Sequence, residues 1–158
     1  MTARYAEGTT VDSVASRAEI ERTLARYGAT SFAYGWDDGR AAIGFTANGR
    51  QVRFVLPMPD RGDREFTHTP GRGQRRSESG VATEYEKAVR QRWRALALVV
   101  KAKLEAVAAG IVTFDEEFLA HMVLPNGRSV YAEVQPAVDE AYRTGTLPPL
   151  MQLGRGDQ

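Results

Sequence analysis

Between residues 30 and 57 the chain reads TSFAYGWDDGRAAIGFTANGRQVRFVLP, and its larger apolar residues recur at every second position. Successive side chains of a strand point to opposite faces, so this period places Phe32, Tyr34, Trp36, Ile43, Phe45, Val52, Phe54 and Leu56 on one face. Ala33, Gly35, Ala42, Gly44 and Arg53 take the other. Asp38-Gly39 and Asn48-Gly49 fall where two-residue hairpin loops need positive φ. The stretch therefore predicts an antiparallel meander of three strands. Its small-residue face is either a thinly covered solvent face or a surface that admits another backbone or a flat ligand closely.

The period on either side is helical. DSVASRAEIERTLARY, residues 12–27, spaces Val14, Ala18, Ile20, Leu24 and Tyr27 for a helix, with Ser16 and Glu19 as a capping box at its regular start and Gly28 as its stop. A long helix is expected from Thr83, capped reciprocally with Glu86, to just before Gly110. Tyr85, Val89, Trp93, Leu96, Val100, Leu104 and Val107 form its core-facing stripe, and Lys87, Arg90, Arg94 and Lys101 share one flank. Its remaining face, with Ala95, Leu98, Ala102, Ala106 and Ala109, is too apolar for water. Either residues 112–158 cover it or a second subunit does, which makes a homo-oligomer through Ala95, Leu98, Ala102 and Ala106 one expectation.

Thr113 and Glu116 repeat the capping-box pattern ahead of a short helix. Asn126-Gly127 marks a tight turn, and a last helix should run from about Val130 to Thr144, with Pro136 as a kink or restart and Gly145 as its stop. Residues 57–80, dense in Pro, Gly, Ser and charge, read as a flexible loop that is either a solvated linker or a segment that folds on contact. The tail from about 151 to 158 reads as frayed. The fold class is α+β: an N-terminal helix, a three-stranded antiparallel meander, a long amphipathic helix and short C-terminal helices. At 158 residues and 42% hydrophobic composition the chain can fill one core, so residues 1–158 are read as a single domain.

The absence of cysteine excludes disulfides and thiolate metal sites. MTARYAEGTT has no signal-peptide apolar stretch and no segment has the length of a membrane span, so a cytoplasmic, non-membrane protein is expected. Charge is uneven along the chain: balanced over 1–60, +6 over 61–103 and −5 over 104–158. The basic middle either pairs with the acidic end or offers a polyanion-binding surface. Arg72, Arg75 and Arg76 stand near glycines that let them approach phosphates, and Lys87, Arg90, Arg94 and Lys101 extend that charge onto the helix. Tyr34, Trp36 and Trp93 are candidate rings for stacking unpaired bases, although Trp93 lies on the core stripe.

No sign of a cofactor or a catalytic group accompanies these features. Gly71-Arg72-Gly73 lacks the later glycine, the lysine and the hydroxyl of a phosphate loop, and no serine sits in a nucleophile elbow. His121, four residues after Glu117, shares a helical face with it; the pair is an ordinary helix-end carboxylate and histidine, or, with a ligand from elsewhere, a weak metal site serving a hydrolase. His68 reads as solvated.

AEIERTLARYGAT, QVRFVLPMPD, RQRWRALALVVKAKLEAVAAGI and TFDEEFLAHMVLPNGR resemble a family of small proteins encoded by bacteriophages and prophages, over roughly residues 10–150. The resemblance implies a genomic context, and no activity or site residue comes with it. The meander followed by a long helix is also similar in topology to the core of phage single-strand annealing proteins, an analogy of fold. The expected function is a non-enzymatic phage or prophage accessory protein that binds nucleic acid, single-stranded in form. The alternatives are a protein-interaction module acting on a host or defence protein and, more weakly, the metal-assisted hydrolase.

Overall fold

A computed structural model describes residues 3–37 and 39–150, with side chains from Val14 onward. The meander forms as its period requires: β1 (Ser31–Asp37), β2 (Arg40–Ala47) and β3 (Arg50–Pro57) make an antiparallel sheet in the order β1-β2-β3. The register pairs Tyr34 with Ile43, Ile43 with Phe54 and Phe45 with Val52, so the large side chains line one face. Ile43, Phe45, Val52 and Phe54 are buried there. Asn48 (φ 50°) and Gly49 (φ 71°) both adopt the left-handed conformation of the tight hairpin turn. Gly39 (φ 87°) does so in the first hairpin, where Asp38 lies outside the described residues.

Helix α1 spans Ala3–Arg26, and so begins well before the Ser16–Glu19 capping box. Residues 3–15 contain no proline, and a capping pattern marks where a helix can start rather than where it must. Ile20 and Leu24 are buried, while Val14 is exposed. Gly28 (φ 94°) ends the helix, with the Ala29 amide donating to the Leu24 carbonyl.

The expected long loop is shorter and more ordered in conformation than its composition suggests. A helical turn, α2 (Arg64–Thr67), buries Phe66 edge-on against Tyr85 at 5.6 Å. An isolated antiparallel bridge between His68 and Arg75 then closes a small hairpin. The long helix α3 (Glu78–Ala108) begins at Ser77, not Thr83: the Ser77 hydroxyl accepts from the Gly80 amide at 3.2 Å. Thr83 lies inside the helix, its hydroxyl donating to the Ser79 carbonyl.

Tyr85, Val89, Trp93, Leu96, Val100 and Leu104 of α3 are buried as the stripe predicts, and α1 packs along the same helix. Helix α4 (Phe114–Phe118) opens with the expected Thr113–Glu116 capping box and leads into a 3-10 turn, Leu119–His121. Met122 then bridges to Val52, covering part of the β3 edge.

Helix α5 (Val130–Thr144) runs through Pro136 without a restart. Proline has no N–H for the carbonyl four residues earlier, here Ala132. The Arg128 guanidinium donates to that carbonyl at 3.0 Å and so satisfies the acceptor that Pro136 leaves. Among the described residues no helix is long and apolar enough to cross a membrane.

Candidate functional site

On α3 the four cations Lys87, Arg90, Arg94 and Lys101 are all exposed. With 3.6 residues per turn, offsets of three, seven and fourteen residues fall within an arc of about 60°, and the row extends about 21 Å along the axis. Arg72 and Arg75 are exposed in the hairpin at the N-terminal end of the same helix. Arg76 differs from them: it is half-buried, and its Nη1 is shut off from solvent with no hydrogen-bond partner.

The carboxylates of the acidic end form their ion pairs mostly with other cations. Asp115 pairs with Arg50, Glu117 with Lys103, Glu133 with Arg128 and Glu140 with Arg143. Of those cations only Lys103 comes from the basic middle. Among the described residues Arg72, Arg75, Lys87, Arg94 and Lys101 make no ion pair. The surplus is therefore displayed on the surface, where it acts on charged ligands at a range set by salt.

The aromatic residues divide differently from the sequence pattern. Trp93 is 1% exposed and belongs to the core, so it offers no platform. One side of Tyr34 meets Trp93, centroids 5.5 Å apart, and Arg17 lies 4.0 Å from its ring centre. Trp36, at the end of edge strand β1, is 57% exposed and alone of the three presents an open ring. The small-residue face of the sheet carries a shallow trough of about 390 Å³ lined by Gly35, Trp36, Ala42, Arg53 and Val55 among others.

Among the described residues the apolar face of α3 stays uncovered. Leu98 is 62% and Val99 46% exposed, Ala95, Ala102 and Ala109 are exposed as well, and Ala106 is half-buried. The described part of 112–158 turns toward the sheet edge instead, because Met122 and Val123 bond to β3 and carry α5 with them. Nothing in the helical pattern of 130–144 told where that helix would dock.

Beside α5 lies a cleft of about 380 Å³ that the sequence did not reveal. At its floor Lys103 Nζ donates to the Glu117 carboxylate at 3.0 Å and to the Glu117 carbonyl at 3.3 Å, both side chains being largely covered. Glu117 is thus held by an ammonium, and among the described residues no group of three potential ligands stands ready for a metal. The His121 ring stacks on Phe54 at 4.1 Å. Burial, with help from the Lys103 charge, pushes its pKa below the ordinary histidine value.

That depression makes an expected outcome. The unfolded chain binds this proton at a higher pH than the folded one, so stability is full above the ordinary value of about 6.5 and is lost as pH falls toward the folded value. Thermal melts at pH 7.5 and 5.5 should show a larger drop for the wild type than for His121→Phe, which keeps a ring on Phe54. Equal drops refute it.

Comparison with protein-family models, curated proteins and solved structures found no match.

Proposed function

We propose that this chain is a non-enzymatic accessory protein of a bacteriophage or prophage that binds nucleic acid, single-stranded in form, along the cationic row of α3 and the Arg72–Arg75 hairpin. The observation that carries the reading is the set of cations Arg72, Arg75, Lys87, Arg94 and Lys101, which lack acidic partners among the described residues. Phosphates supply the missing counter-charges, and each contact releases condensed cations from the strand. The exposed Trp36 ring can stack a base only when that base is unpaired, which favours single strands over duplex. The phage context rests on the sequence resemblance alone.

Anisotropy titrations of labelled oligothymidine at 50 and 200 mM salt test this. Five phosphate contacts predict a log–log slope of about −3.5, so affinity should fall roughly 100-fold across that range. Neutralising Arg72, Arg75, Lys87, Arg94 and Lys101 to alanine should flatten the slope and abolish most binding. Salt-insensitive binding, or unchanged binding by the variant, rejects the polyanion site; equal affinity for duplex rejects the single-strand preference.

A second reading, a module that docks on another protein, is favoured by the 62% exposure of Leu98 within an uncovered apolar helix face. Host-lysate capture that depends on Leu98, with no nucleic-acid binding, would replace the first reading by this one.

A further inference from the structure

We infer that the chain forms a two-fold dimer in which the Leu98–Val99 ridge of α3 in each copy enters the cleft beside α5 of the other. The inference does not require nucleic-acid binding, although it shares Arg94 and Lys101 with the proposed strand site. It begins from two apolar surfaces that stand open among the described residues. One is the ridge, where Leu98 and Val99 project among the small residues Ala95 and Ala102. The other is the cleft of about 380 Å³, walled by Leu119, Val130, Tyr131, Val134 and Val138. Helix α5 has no buried residue, although Val130, Val134 and Val138 recur at four-residue steps on one face. Leu119 and Tyr131 at the cleft are 52% and 56% exposed. A helix with an apolar stripe and no buried residue is incompletely packed in the isolated chain.

Position and charge together select a second copy as the occupant. Lys103 on the cleft floor follows Val99 by four residues, about one helical turn along α3 and about 40° around it, so the Val99 side of the ridge adjoins the cleft. A two-fold axis between adjacent patches joins each to its counterpart in the other copy, and every contact forms twice. The ridge is flanked by Arg94 and Lys101, whereas Glu116 borders the cleft and the one cation there, Lys103, is already paired with Glu117. Ridge-into-cleft docking brings these opposite charges together. Packing the ridge against the same ridge of a second copy instead sets Lys87, Arg94 and Lys101 against their own copies, which like-charge repulsion disfavours. Arg94 and Lys101 serve both this contact and the proposed strand site; Arg72 and Arg75 serve only the latter.

Sedimentation of the full chain across the micromolar range should give twice the 17.4 kDa chain mass. Leu98→Lys and Tyr131→Asp, at positions 62% and 56% exposed, should separately yield monomers with unchanged far-UV circular dichroism. Because the chain has no cysteine, Leu98→Cys mixed with Val134→Cys should give a disulfide-linked heterodimer, with Arg72→Cys as the uninvolved control. A monomer at all concentrations overturns the inference. So does cross-linking of Leu98→Cys only to itself, which reports a ridge-to-ridge pair. The Arg72→Ala, Arg75→Ala double variant should keep the dimer while weakening oligothymidine binding, so each proposal can fail without the other.

Discussion

Phe118→Ala is expected to lower the unfolding free energy by about 3–5 kcal/mol, the range for removing a fully buried phenylalanine. Its side chain is 0% exposed and joins three parts of the molecule. It meets Phe45 and Phe54 of the sheet edge-on, at 5.9 Å and 6.3 Å, and stacks on Phe114 at 4.6 Å. Lys103 of α3 adds an ammonium 5.8 Å from the ring centre. Aromatic pairs of this geometry contribute about 0.5–1.5 kcal/mol beyond their buried area, and alanine removes them together. Domains of this size have total stabilities of about 5–15 kcal/mol, so the variant should be marginal at 37 °C. Urea unfolding followed by circular dichroism measures the loss; a change below about 1 kcal/mol would show that the surrounding side chains close the cavity.

Trp93→Ala should cost a similar amount, about 3–5 kcal/mol, from the opposite half of the same core. Trp93 is 1% exposed on α3, and its ring meets Tyr34 of β1 at 5.5 Å. Removing it unpacks the face where β1 and α3 meet, while the Phe118 cluster stays in place. The useful comparison is the shape of the transition. One core predicts that each substitution shifts a single cooperative step and that far-UV ellipticity and Trp36 fluorescence change together. If Trp93→Ala melts α1 and β1 while α4 and α5 remain folded, the chain holds two independent units. The loss would then fall well below that of Phe118→Ala.

What the sequence makes legible is local. The meander is written in a two-residue period and in Asn48-Gly49, whose left-handed conformation closes the second hairpin within four residues. The α3 stripe and the Thr113–Glu116 box are equally short-range. The start of α3 is not legible in the sequence because Ser77 is followed by Glu, Ser and Gly, a composition shared with loops; only the Ser77 hydroxyl on the Gly80 amide distinguishes it as a cap.

The site depended on relations that no window contains. Whether the cations are neutralised turns on pairs such as Arg50 with Asp115, 65 residues apart, and their partners follow from tertiary placement. Trp36 and Trp93 both sit on apolar positions of their elements, yet one lies at the end of an edge strand and the other in the middle of a covered helix. Likewise, the helical period of α5 defines an apolar stripe without saying which surface receives it, and the bonds of Met122 and Val123 to β3 decide that.

Because Arg128 supplies the donor that Pro136 withholds, the first turn of the last helix is fastened from outside its own backbone. The same guanidinium reaches Glu133 at 3.1 Å, while Asn126 of the turn donates to that carboxylate at 2.9 Å. Turn and helix are thereby stitched into one piece of secondary structure. A lysine has no planar fork with which to span both acceptors at once. The turn is itself fastened to β3, where the Arg53 guanidinium donates to the Gly127 carbonyl at 3.0 Å, so fraying of the helix start must break side-chain bonds to the bend as well as its own backbone ladder.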